Sequence, residues 1–313
     1  MEPATQPAIR GTWGTLLLPI EPDESICWSR LGEEIDRLIA AGVDGIYSNG
    51  TAGEFHTQSE AEFDRIHDLL AGKCGAAGMA WQAGAAHMSA QISLDRVRRA
   101  ASLGPSAIQV ILPDWCPVSN EEALRFLARI AGAAAPAPLV LYNPPHAKRS
   151  LSPADFGMLA QDVPALAGVK VGHSGAEWCS EFRRLAPGLS LFVPGHELAS
   201  GMAHGAHGAY SNVACLSPAG AVRWNRQMTS DPASALDLET RIRQFLSDSV
   251  LPFRHERGIS NPGLDKLLAA IGGWADVGTR LRWPYSWIPE AEAIRLRSVA
   301  RGRMPELFGG DLP

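Results

Sequence analysis

GTWGTLLLPIEPDESICWSRLGEEIDRLIAAGVDGIYSNG, residues 11–50, holds the pattern that decides the fold. Thr12–Leu18 is an apolar run too short for a helix and reads as a strand. Over Ile26–Ala41 the period changes. Trp28, Leu31, Ile35, Leu38 and Ile39 fall on one face, and Glu33, Glu34, Asp36 and Arg37 on the other, which predicts an amphipathic helix with a solvated acidic side. Gly42 ends that helix, and Asp44–Ser48 forms the next strand. Strand, helix, strand is the unit from which covered parallel sheets are built.

The unit recurs along the chain. The second strand leads through a Gly-rich loop to a helix opening near Ser59, with Glu60 and Glu62 in its first turn. Gly78–Ala83 precedes a helix over Met88–Ser102, and Ala107–Leu112 one over Ser119–Ala134. Pro138–Tyr142 precedes a helix from Ser152, and Leu166–Val171 one near Ala176–Leu185. Leu189–Val193 precedes a helix near Leu198–His204, and Gly208–Val213 one from Pro218. These strands are apolar on both parities, as in a sheet covered on both faces. Eight such units predict an α/β fold, a (β/α)8 TIM barrel, over residues 11–232. A doubly wound open sheet is the alternative, but it seldom needs so many units. Residues 1–10 read as an N-terminal extension and residues 233–313 as a C-terminal helical region. Its expected helices are Leu236–Phe245, Leu264–Ile271 and Glu290–Arg301, with an aromatic loop over residues 282–287.

Composition narrows the function. The 313 residues are 46% hydrophobic and 19% charged, enough to bury a large core and unlike a disordered chain. The net charge is −5, and no basic stripe points to nucleic acid. No apolar run reaches the ~18 residues of a membrane span, and Met1 to Arg10 do not resemble a signal peptide. The five cysteines (Cys27, Cys74, Cys116, Cys179 and Cys215) form no C-x-x-C pair, so reduced thiols and a cytoplasmic location are expected.

In a TIM barrel, catalytic groups sit at the carboxyl ends of the strands. Lys170 closes the apolar run Ala165-Leu166-Ala167-Gly168-Val169. Lysine is scarce here. Lys73, Lys148 and Lys266 are the only others, and Lys73 and Lys266 read as solvated helix positions. A free amine is neutral in roughly one molecule in several thousand at pH 7, but desolvation raises that fraction, and a neutral amine can attack a ketone to form an imine. The plainer reading is a lysine reaching from a strand end to water. Tyr142 ends Leu139-Val140-Leu141 and can carry a proton, or it is a core tyrosine with a satisfied hydroxyl. Asn49-Gly50-Thr51-Ala52-Gly53-Glu54 follows the second strand. Its backbone N–H groups can cradle a carboxylate, although such loops are often ordinary turns.

Gly50-Thr51-Ala52-Gly53-Glu54, Tyr142-Asn143-Pro144-Pro145 and Gly168-Val169-Lys170, in this order and spacing, resemble the signatures of the dihydrodipicolinate synthase/N-acetylneuraminate lyase family. Gly208-Ala209-Tyr210-Ser211-Asn212 resembles its eighth-strand motif. The resemblance covers residues 11–217 well and the helical tail more loosely. It implies that Lys170 is the Schiff-base lysine and Tyr142 the proton-transfer tyrosine. Thr51 would relay protons and, with the backbone of Gly50, Ala52 and Gly53, hold the substrate carboxylate. Tyr210 would offer its backbone carbonyl near the imine. No metal or organic cofactor is implied, and a homo-oligomer, tetramer or dimer, is expected.

Departures from the family pattern bear on the substrate. Ala52 stands where the family usually has a second threonine. Trp115 takes the place of a tyrosine that in the synthase reaches the neighbouring subunit's site. Ala147 stands at the synthase's arginine position, with Lys148 and Arg149 displaced from it. An aldolase or dehydratase acting on pyruvate or a longer 2-oxo acid is therefore expected rather than dihydrodipicolinate synthesis. His87 and His173 follow the third and sixth strands and either contact the distal part of the substrate or are polar loop residues. His196-Glu197 lacks the second histidine of H-E-x-x-H, because Ser200 occupies that place. The alternatives are a barrel that binds a 2-oxo acid or sugar acid without turnover, 4-hydroxy-tetrahydrodipicolinate synthase itself, and a metal-dependent hydrolase.

Overall fold

A computed structural model describes residues 9–172 and 175–309. His173 and the first eight residues of the expected N-terminal extension lie outside the described residues. Eight parallel strands close into a barrel in chain order. They are β1 (Gly11–Thr15), β2 (Gly45–Tyr47), β3 (Trp81–Gly84), β4 (Ala107–Val110), β5 (Leu139–Asn143), β6 (Leu166–Val171), β7 (Ser190–Phe192) and β8 (Gly208–Tyr210). β8 returns to β1 with Gly11 opposite Gly208 and Trp13 opposite Tyr210, so the TIM barrel holds and the open sheet does not. Helices α1 (Trp28–Ala41), α2 (Glu60–Ala77), α3 (Ala90–Ala101), α4 (Asn120–Ala134), α5 (Pro153–Asp162), α6 (Ala176–Leu185) and α7 (Leu198–Ala203) follow the first seven strands. Ser59, Ser119 and Ser152 open α2, α4 and α5 with capping boxes, in which the serine and an acid three residues later satisfy each other's backbone N–H.

Alternation along the strands sorts the side chains. Ile46, Ile108, Leu141, Val169 and Leu191 face outward into the main core with the helices. Trp13, Tyr47, Ala107, Val140, Phe192 and Tyr210 form a separate cluster that fills the barrel. Gly45 is required there, since a Cβ would lie 2.6 Å from the Trp13 ring. Lys170 shares the inward parity of Gly168.

Several strands are shorter than the apolar runs predict, and β1 and β8 each stop three residues early. β1 stops at Thr15 because Leu17 N–H turns to Glu34 Oε1, at 2.8 Å, instead of a strand partner. Leu16 to Leu18 stay buried beyond the strand. β8 stops at Tyr210 because the Ser211 hydroxyl accepts from Ala214 N–H and starts a helix, α8 (Asn212–Leu216). Glu34 also corrects the expected polar face of α1. It is fully buried, and burial pushes its carboxyl well above the usual range.

The remaining chain is helical: α9 (Pro218–Ser230), α10 (Pro232–Phe245), α11 (Leu251–Arg257), α12 (Asn261–Gly272), α13 (Glu290–Arg303) and α14 (Pro305–Phe308). Between α10 and α11, residues 246–250 form a π turn, with Leu251 N–H bonded to Leu246 O. Pro252 follows and has no N–H to continue the ordinary ladder. α12 is buried almost all round and packs on α8, at the carboxyl end of β8. Lys266 lies on it, fully buried, which corrects its reading as a solvated helix lysine.

His67 ties α2 to the end of β2. Its Nδ1–H donates to Phe63 O at 2.7 Å, so Nε2 accepts from the Ser48 hydroxyl, also at 2.7 Å. Burial lowers its pKa to about 4, below the ordinary 6.5. The unfolded chain therefore binds this proton more readily, and the stability contributed by neutral His67 is present above pH 6.5 and lost as pH falls towards 4. The expected loss is about 3 kcal/mol. Urea unfolding at pH 7.5 and 4.5 should show this component in the native protein and not in His67→Gln.

Candidate active site

Lys170 is the fifth residue of β6, opposite Tyr142 on β5 and Phe192 on β7. It opens into a cavity of about 1110 Å³ at the carboxyl end of the barrel. The cavity is lined there by Thr15, Tyr47, Thr51, Ala52, Tyr142, Tyr210, Cys215 and Asp265. Lys170 Nζ donates to Tyr47 Oη at 3.3 Å. It lies 4.2 Å from the ring centre of Tyr142, 5.0 Å from Tyr47 and 5.3 Å from Tyr210. Three aromatic faces replace part of the lost hydration of a cation. The replacement is incomplete. Burial lowers the amine to about 8, against the opposing pull of Asp265 and Cys215. Roughly a tenth of the molecules then carry a neutral amine at pH 7.

The hydroxyls are arranged around this amine. Thr51 and Thr15 line the cavity with Tyr142 and Tyr47, and each opposes in part the rise that burial gives the phenol beside it. Tyr210 turns its hydroxyl down into the barrel, donating to Gln82 Oε1 at 2.7 Å, and presents its ring to Lys170. The loop after β2 is built for close approach. Asn49 and Glu54 both have φ of 53°, in the left-handed region. A Cβ on Gly50 would lie 2.7 Å from the Tyr47 ring, and one on Gly53 would lie 2.8 Å from Asn49 N. Thr51 and Ala52 line the cavity, while Gly50 and Gly53 are needed to let the backbone pass. The Gln58 side chain holds the loop shut, donating to Asn49 Oδ1 at 2.8 Å and to Gly53 O at 2.9 Å. At its end Glu54 forms a buried ion pair with Lys266, 2.5 Å apart, and Lys266 also donates to Arg280 O at 2.6 Å.

Other expected site residues lie elsewhere. Trp115 is 75% exposed and faces away from this chain's own cavity, with Lys148 Nζ 4.8 Å from its ring centre. His87 turns its Nδ1 to the backbone N–H of Ser89 at 2.9 Å, one residue before α3, and does not line the cavity. Arg149 reaches the cavity wall, but its guanidinium is engaged by Val118 O, Asn120 and Asp155. His196 pairs with Asn212, and His207 accepts from Leu191 N–H. Tyr47, Thr15, Cys215 and Asp265 were not singled out from the sequence. Tyr47 ends β2 as Tyr142 nears the end of β5, so the strand-end rule reaches it. The other three carry no such mark.

A model of the dihydrodipicolinate synthetase family matches residues 8–290. The chain is 30% identical over 199 residues to the 4-hydroxy-tetrahydrodipicolinate synthase of Symbiobacterium thermophilum, covering 61% of this chain and 64% of that relative. It is 26% identical over 300 residues to the N-acetylneuraminate lyase of Rhizobium meliloti, covering 93% and 94%. Among solved structures, YagE, a prophage protein from E. coli K12 of the dihydrodipicolinic acid synthase family, in complex with pyruvate, superposes with a TM-score of 0.83 at 21% identity, covering 94% of this chain and 98% of that one. The Ruminococcus gnavus sialic acid aldolase gives 0.80 at 18% identity, covering 95% and 99%. At such identities the structural likeness concerns the fold.

Breaking the Glu54–Lys266 pair from one side strands a buried charge. Lys266→Ala is expected to lose about 3–5 kcal/mol, read as a lower urea midpoint at unchanged slope. Lys266→Met combined with Glu54→Gln is expected to recover most of that loss.

Proposed function

The chain belongs to the dihydrodipicolinate synthetase family, and from that premise we propose that it is a class I lyase that binds pyruvate or a longer 2-oxo acid as an imine on Lys170. The observation that carries this reading is the amine at the mouth of the barrel, ringed by Tyr47, Tyr142 and Tyr210 and brought by burial to about 8. The neutral amine attacks the ketone carbon, and the oxygen leaves as water after protonation. Tyr142, backed by Thr51, carries protons to and from that oxygen. Backbone N–H groups from Thr51 to Gly53 hold the carboxylate. The protonated imine then accepts the electron pair of a breaking C–C bond, or that of an α C–H bond whose proton is removed, after which the enamine expels a β-hydroxyl as water once it is protonated. Pyruvate bound in YagE and the lyase activity named for the Rhizobium meliloti relative support this chemistry.

The cavity exceeds what pyruvate alone needs, which favours a longer substrate. Ala52 and Ala147, in place of family polar groups, favour an aldolase or dehydratase over dihydrodipicolinate synthesis. We place the protein in the cytoplasm as a homo-oligomer in which exposed Trp115 meets a neighbouring copy, with no organic cofactor in the reaction.

Borohydride reduction in the presence of pyruvate is expected to leave a covalent adduct on the peptide containing Lys170, and none in Lys170→Ala. Tyr142→Phe should slow trapping by about 100-fold. No adduct, or one indifferent to Lys170→Ala, would remove the nucleophile from this scheme.

A further inference from the structure

α12 brings a second titratable group to the cavity. Asp265 is 6% exposed and lines the same space as Lys170. The other buried acids are committed. Glu54 pairs with Lys266, Glu34 accepts from Leu17 N–H, and Glu239 accepts from Ser200 N–H. Asp265 forms no ion pair among the described residues, and its hydrogen bond is a long one, 3.5 Å from Asn261 Nδ2. A buried carboxyl held in a cavity without a dedicated partner is an expensive arrangement unless it acts on what enters.

Resting on the imine reading above, we propose that Asp265 is the proton partner of Lys170: it takes a proton as the amine becomes nucleophilic and, as carboxylate, balances the iminium charge. The groups facing Lys170 are Tyr47 from β2, Tyr142 from β5, Tyr210 from β8, Cys215 from α8 and Asp265 from α12. Burial raises the three phenols and the thiol, so all four are neutral near pH 7. Asp265 faces Lys170 and, from α11, Arg254. Burial raises Asp265 to about 7, within reach of the amine at about 8. Their proton affinities lie close together, and since no ion pair within 4 Å joins them, the proton travels through the cavity that both line. The step balances: an ammonium and a ketone give an iminium and water, the N–C bond forms, the C–O bond breaks, and two nitrogen protons end on the departing oxygen. Asp265 holds one of them in transit. It acts through Lys170 and is a positioning residue.

The test is Asp265→Asn, whose amide matches the carboxyl in shape and carries no charge. The pH dependence of Lys170 acetylation by acetic anhydride, read by peptide mass spectrometry, is expected to move to lower pH by about one unit or more. The pyruvate concentration for half-maximal borohydride trapping at pH 8 should rise about tenfold, because the iminium loses its counter-charge. The amine thus becomes freer while less imine forms, a combination that structural damage does not produce. In the unaltered protein, infrared difference spectra at pH 7 should lose a protonated-carboxyl band on pyruvate addition. An unmoved acetylation midpoint in Asp265→Asn, or an unchanged carboxyl band, overturns the pairing even where adducts form. A moved midpoint with no adduct in the native protein supports the pairing and sinks the imine reading instead.

Discussion

Taking one amine out of water is the constraint around which the rest of this site is organised. Left in solvent, Lys170 would be almost wholly protonated. Placed at the inward parity of β6, it exchanges hydration for three aromatic faces and one phenol oxygen. That exchange is deliberately short of full compensation in energetic terms, since a fully satisfied ammonium would be inert. The barrel supplies the geometry because its closure makes β2, β5, β6 and β8 converge on a single axis. No two of these strands except β5 and β6 are neighbours in the sheet.

The helices after the barrel are part of this arrangement. Asp265 and Lys266 are consecutive on α12, so their side chains leave the helix about 100° apart. One meets the cavity and the other meets Glu54 at the end of the Thr51 loop. A single docked helix thereby sets both the local charge at the amine and the position of the loop that backs Tyr142. Because Gln58 also staples that loop, its left-handed residues have little freedom to relax.

Much of this was legible beforehand, for identifiable reasons. The switch between strand and helix period marks each unit, and a lone lysine ending an apolar run marks β6. The strand ends were less legible. Leu16 to Leu18 are as apolar as a strand, but Glu34 draws the Leu17 amide away. Periodicity also misplaced Glu34, since a face assigned from apolar spacing has no way to register a carboxyl folded under the next turn of chain. Lys266 reads as a solvated charge, and Asp265 beside it carries no mark, because α12 shows an ordinary helical pattern. Only its burial on nearly every side, by α8, α11 and α13, turns them inward. His87 sits in a loop, where sequence order says which end of the barrel a residue occupies and not which way it points.

The π turn before Pro252 carries its own consequence. With Leu251 bonded back to Leu246, the helical ladder holds one residue more than an ordinary turn would. Everything on α11 is therefore out of phase with α10 by about 100°. Arg254 owes its place on the cavity wall to that phase. Shortening residues 246–250 by a single residue would restore regular winding and swing the guanidinium off the wall. Chain length at this spot, more than residue type, thus decides whether a cation borders the pocket.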